Sequence, residues 1–176
     1  MFQDHHFEKW LTNPDRVLIQ GILNITPDSF SDGGLYLNPK KAFNKAIKLL
    51  DDGCDIIDIG GESSRPGSSP ISSQEEIDRI IPVVEKIKNE VECLISVDTY
   101  KVDVASEAIK SGANIVNDIT GLSHDPDMID FVVKNNIPVI LMHMQGTPKS
   151  MQKNPYYHNV IDEISTFFKK QIGKLD

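Results

Sequence analysis

Short apolar runs recur along the chain, with helix-patterned segments between them. The runs are Val17–Leu23, Ile56–Ile59, Leu94–Val97, Ile115–Val116 and Pro138–Met142. They are nearly continuous rather than alternating, the pattern of parallel strands covered on both faces. Helices are predicted over Pro39–Asp52, Ser73–Asn89, Lys101–Ser111, Pro126–Asn135 and about Val160–Leu175. The first places Ala42, Phe43, Ala46, Ile47, Leu49 and Leu50 at helical spacing, with Pro39 suited to its first turn. In the second, Ser73 and Glu76 have capping-box spacing. Gly53 and Gly112 fall where helix C-caps belong. Strand–helix alternation at this spacing predicts an α/β architecture with about five parallel strands.

Unusual polar residues gather at one place in this pattern. Asn24 follows the first run, Asp58 and Glu62 the second, Asp98 the third, Asn117-Asp118 the fourth and His143 the fifth. C-terminal strand ends are where α/β sheets and barrels hold ligands. Any one of these residues is also a good strand terminator, because Asn and Asp make local turns. Their recurrence at every strand end favours a ligand site.

Charge and cysteine content narrow the class. Net charge is −8 over 176 residues, with no dense basic stretch, which argues against nucleic acid or an anionic membrane as partner. No apolar run approaches the roughly 20 residues that span a bilayer, and the N-terminus lacks a signal-peptide layout. Cys54 and Cys93 are expected to be small, reduced thiols, and His5-His6 to be solvated in a polar lead. These features point to a cytoplasmic protein. Lys101 is expected to be solvated in the first turn of its helix, and His143 to be a packed, hydrogen-bonded histidine.

The segment Gly21–Gly34 carries the most chemistry. A strand opens into a polar loop in which Pro27 disfavours helix and Asp28, Ser29, Asp32 and Gly33-Gly34 favour turns. Its one aromatic, Phe30, is costly to leave in water unless something covers it. The wording Asn24-Ile25-Thr26-Pro27-Asp28-Ser29-Phe30-Ser31-Asp32-Gly33-Gly34 closely resembles the first signature of the dihydropteroate synthase family. The resemblance continues in order. It runs through Gly60-Gly61-Glu62-Ser63-Ser64-Arg65-Pro66-Gly67, Ser96-Val97-Asp98-Thr99-Tyr100-Lys101, Asn117-Asp118-Ile119 and Leu141-Met142-His143-Met144-Gln145-Gly146. One departure is Ser64, where the family usually has Thr; the hydroxyl is kept.

The resemblance implies a (β/α)8 TIM-barrel type fold and an enzyme joining a pterin pyrophosphate to 4-aminobenzoate in folate biosynthesis. It implies that Asn24 and Asp32 contact Mg²⁺ carried by the pyrophosphate, and that Ser64 hydrogen-bonds the pterin substrate. Asp98 and Asn117 would read the pterin edge as the catalytic pair, with Ile119 and Met142 lining the ring. Phe30, Ser63, Arg65 and Pro66 would surround the aminobenzoate. Partners would be these small-molecule substrates.

Length qualifies the expectation. A (β/α)8 barrel usually takes about 250 residues, so this chain is expected to be a single domain over 1–176, an incomplete barrel of about five units truncated at its C-terminus. The family's later Asp–Pro–Gly, Ser–Arg–Lys and Arg–x–His motifs have no counterpart, so low or no activity of the chain alone is expected. A homodimer, or pairing with a complementary C-terminal segment, would cover the open edges. Two other readings stand beside the enzyme: a non-catalytic pterin-binding remnant or interaction module, and a corrinoid-linked, pterin-dependent methyltransferase. The Thr26–Gly34 loop disfavours the methyltransferase.

Overall fold

The structure, a computed structural model, describes residues 4–26, 38–63, 69–147 and 150–175. Five strands form one parallel sheet in the order β1 (Gln20–Asn24), β2 (Ile56–Gly60), β3 (Leu94–Asp98), β4 (Ile115–Asp118) and β5 (Val139–Leu141). Each strand pairs with its successor, so the order never reverses, as in one arc of a barrel. Helices α2 (Pro39–Asp51), α3 (Ser73–Glu90), α4 (Val102–Lys110) and α5 (Asp127–Lys134) make the crossovers. Right-handed crossovers in an unreversed order put them all on one face. Helix α6 (Val160–Ile172) follows β5, and α1 (Asp4–Thr12) precedes β1.

Strand alternation divides the side chains between two faces. Leu23, Ile57, Ile59, Ile95, Val97 and Val116 face the helices and pack in one buried cluster with Ala46, Ile80, Val84 and Ala105. The residues between them face the inner side. There Ile56, Leu94 and Ile115 form a second cluster closed by Phe7 of α1, with Trp10, Leu18 and Ile140 against it. Phe7 and Trp10 stack at 6.0 Å, and the Trp10 indole N–H donates to the Arg16 carbonyl at 2.7 Å. Thus α1, which the polar lead did not predict, plugs the N-terminal end of the inner face. The His5 and His6 side chains lie outside the described residues.

Local rules account for most helix boundaries. Asn38 caps α2, accepting from the Lys40 and Lys41 N–H groups, and Pro39 opens the helix. Gly53 and Gly112 take φ of +104° and +112°, which suits glycine and ends the preceding helices. The capping box is corrected: Ser72, not Ser73, accepts from the Glu75 N–H, and Glu76 is buried elsewhere. Pro82 lies inside α3 at a cost of about 3 kcal/mol, offset by the buried stripe Ile80, Val83, Val84 and Ile87. Val17 does not join β1 and stands 81% exposed. Both cysteines are free thiols, and burial pushes the Cys93 thiol up to about 11. Among the described residues no helix is long and apolar enough to cross a membrane.

Candidate active site

Register places the predicted polar residues in one line. Asn24 pairs with Gly60, Gly60 with Asp98, and Asp98 with Asn117, so four adjacent strands contribute to a single row at the C-terminal edge. At about 4.8 Å per strand the row spans about 14 Å, the width of a bicyclic ring with a substituent. Gly60 leaves bare backbone in its middle. A Cβ there would lie 3.3 Å from Asp98 Oδ2 and 3.4 Å from Asn24 Oδ1, so both oxygens lean over the glycine.

The row beneath carries Asp58 and Ser96, paired with each other across β2 and β3 and both buried (4% and 0% exposed). Asp58 therefore lies inside its strand, not after it. Asn117 Nδ2 donates to Asp58 Oδ2 at 3.0 Å. Asp58 Oδ1 and Ser96 Oγ are buried with no hydrogen-bond partner among the described residues. Such groups are rare in folded proteins because each forfeits its hydration without replacement.

Acidic crowding governs Asp98. Burial first, then the carboxylates of Asp58, Glu76, Asp118 and Glu62, push its carboxyl from 3.8 up to about 7. A carboxyl raised this far can take up a proton near neutral pH, and so can donate as well as accept. Because the folded-state value is raised, the folded chain binds the extra proton between pH 4 and 7, and stability falls as pH rises through that window. The cost of ionising it in place is on the order of 4 kcal/mol.

Lys101 is the main correction to the sequence reading. It is the N-cap of α4, and its half-buried side chain sets the ammonium between two carboxylates: Nζ lies 2.6 Å from Glu62 Oε2 and 2.7 Å from Glu76 Oε2. It also donates to the Ile71 carbonyl at 2.8 Å, while the Ile71 N–H donates to Glu62 at 3.1 Å. The Tyr100 hydroxyl donates to Glu62 at 2.5 Å, and Arg79 donates to the Gly61 carbonyl at 2.7 Å. These bonds clasp both ends of the segment after β2. Burial would raise the Glu62 carboxyl, but the Lys101 and Tyr100 hydrogen bonds outweigh it and hold Glu62 below the usual range. For Glu76 burial wins over the same lysine, and its carboxyl is raised.

The remaining predicted residues divide clearly. Ile119 and Met142 are half-buried, directly after β4 and β5, and the Met142 N–H donates to the Asp118 carbonyl at 3.3 Å. Ser63 is half-buried after β2. Phe30, Asp32, Ser64, Arg65 and Pro66 lie outside the described residues. Asp118 is occupied locally, accepting from Thr120 N, Thr120 Oγ1 and Leu122 N. His143 packs edge-on against Phe167 at 4.9 Å, with its Nδ1 3.5 Å from the Tyr157 hydroxyl, as a packed histidine should. Among the described residues no cluster of three or more His, Cys, Asp or Glu could hold a metal by itself. Asn24 offers one neutral oxygen, a donor set that fits Mg²⁺ only when a diphosphate and waters supply the rest.

A family model described as "Pterin binding enzyme" matches residues 20–176. This chain belongs to the pterin-binding enzyme family. Among pterin-binding relatives, dihydropteroate synthase of Haemophilus influenzae is 48% identical over 156 residues, 89% of this chain and 56% of that protein. A solved dihydropteroate synthase from Clostridium difficile, in the presence of pteroic acid, superposes with TM-score 0.83 at 45% identity, covering 92% of this chain and 59% of that one. One from Xanthomonas albilineans with 4-aminobenzoic acid gives 0.82 at 38% identity, covering 92% and 56%. The chain spans about half the length of the curated relatives it matches. The unreversed sheet is then an arc of the family's TIM barrel, with the polar row at the C-terminal end of its strands.

Proposed function

We propose that the chain binds a 6-hydroxymethyl-7,8-dihydropterin pyrophosphate and serves its transfer to 4-aminobenzoate, the dihydropteroate synthase reaction. The observation that carries this reading is the row Asn24, Gly60, Asp98, Asn117, where polar side chains from three strands flank the bare backbone of Gly60. Asp98 and Asn117 hold the ring by hydrogen bonds to its edge, and Ile119 and Met142 cover its faces. Asn24 lies on the side where the diphosphate emerges, with Asp32 and Ser64 contributing from the first two loops. Phe30, Ser63, Arg65 and Pro66 close around the aminobenzoate.

In the reaction the arylamine nitrogen forms a bond to the exocyclic methylene carbon of the pterin. The carbon–oxygen bond to diphosphate breaks, its electron pair leaves with the diphosphate, and the amine releases a proton to solvent. The amine is neutral at pH 7, so no strong base is required. Mg²⁺ bound with the diphosphate would neutralise charge on the leaving group, and Asn24 and Asp32 are the residues that would hold it. Asp98 in its ionised form stabilises positive charge that spreads into the ring as the bond breaks, an electrostatic effect that burial strengthens. Ring N–H donors favour that ionised form.

The test is calorimetry of the chain with the pterin pyrophosphate, with and without Mg²⁺, alongside an assay for dihydropteroate and pyrophosphate. The proposal expects saturable binding that Mg²⁺ tightens. No binding under either condition overturns it, and binding without transfer assigns this chain pterin capture alone.

A further inference from the structure

We infer that Asp58 is a positioning residue for this site: it fixes the carboxamide of Asn117 so that the amide oxygen, not the nitrogen, faces the ligand. Asn117 offers two chemically opposite ends, and either could meet a ring edge. Asp58 removes that ambiguity. Its carboxylate can only accept, and Oδ2 receives Asn117 Nδ2 at 3.0 Å from the row below. The planar amide then directs Oδ1 away from Asp58, toward the open end of the row.

Two further observations set Asp58 apart from an ordinary structural carboxylate. It is buried on the inner face beside Ser96, and its second oxygen has no partner among the described residues, so its burial costs the unliganded fold. Of the carboxylates that push Asp98 upward it acts most strongly, ahead of Glu76 of α3, Asp118 of β4 and Glu62 after β2. One carboxylate therefore acts on both ligand-facing residues, by a hydrogen bond on Asn117 and by its field on Asp98. The consequence is selectivity for a heterocycle that brings N–H donors to Asn117; a ring presenting a bare acceptor there would leave two oxygens opposed.

This inference rests on the pterin reading for its ligand, but its first test does not. In ¹⁵N spectra of the unliganded chain, the Asn117 side-chain NH₂ pair should show one strongly shifted, slowly exchanging proton. Asp58→Ala should abolish that signature, and Asp58→Asn, whose amide oxygen can still accept, should retain it. An Asn117 pair indifferent to Asp58→Ala overturns the inference whatever the ligand is. With pterin pyrophosphate as probe, Asp58→Ala should weaken binding by about tenfold, the loss of one charge-assisted hydrogen bond. Asp58→Asn should stay within about threefold while moving the pH midpoint of binding downward, because a charge raising Asp98 is gone. In an Asn117→Ala background, Asp58→Ala should cost less than about twofold, since its partner is absent. An undiminished tenfold loss there shows that Asp58 acts without Asn117 and overturns the proposal. If the unaltered chain binds no pterin, the pterin reading fails, while the amide spectra still decide the orientation.

Discussion

The two faces of one sheet, built from the same five strands, obey different rules. On the helix side Ile57, Ile59, Ile95, Val97 and Val116 are fully buried in one apolar cluster with helix side chains. On the inner side the same strands turn Asp58, Ser96, Asp98 and Asn117 toward one end, with two buried atoms unpaired among the described residues and a carboxyl raised to about 7. Stability resides mainly on the first face, and the second carries groups that weaken the fold in order to recognise something. The alternation of side chains along a strand is what lets one element serve both purposes.

The largest effect should come from the clasp of Lys101 with Glu62 and Glu76. Lys101→Met leaves Glu62 and Glu76 buried without their cation, and breaking such a pair costs about 3–5 kcal/mol. Chemical denaturation should register that loss at pH 8, with part of it recovered in acid as Glu76, whose carboxyl burial already raises, takes up a proton. An equal loss at pH 8 and in acid would mean that packing, not charge, holds the loop.

Asp98→Asn should sharpen the contrast by moving stability and recognition in opposite directions. Pterin binding should fall about 100-fold or more, yet the unliganded chain should gain up to a few kcal/mol at pH 8 and nothing below pH 4. If transfer is also assayed, its chemical rate should fall further than binding does. Loss of both stability and binding would place Asp98 among ordinary structural residues. On the opposite face Ile59→Val should do the reverse, costing about 0.5–1.5 kcal/mol in stability while leaving pterin affinity unchanged. The smallest effect belongs to neither face: Lys48→Ala removes an exposed i,i+4 pair with Asp52 and should shift stability by less than about 0.5 kcal/mol.

Much of this division was legible in the sequence. The apolar runs located all five strands, and the polar residues at their ends anticipated the row Asn24, Asp98, Asn117. What the sequence concealed was pairing over distance. Glu76 sits 25 residues before Lys101, at a position that reads as an exposed first-turn carboxylate, and nothing local marks it as a buried partner. Asp58 was visible as a residue but not as a floor, because a carboxylate at the end of Ile56–Ile59 looks like a strand terminator until register puts it opposite Ser96. Helix α1 escaped because its apolar contribution is confined to Phe7 and Trp10 in a polar segment, and only tertiary contact with Ile56, Leu94 and Ile115 gives it a reason to fold.

The central claim is that one row across the inner face holds the ligand. The most direct measurement is a ¹⁵N backbone titration of the chain with pterin pyrophosphate and Mg²⁺. The account predicts that the largest shifts fall at Asn24, Gly60, Asp98 and Asn117, while Ala108 and Val132, buried on the helix side, stay still. Shifts centred on the helix side, with that row unmoved, would contradict it.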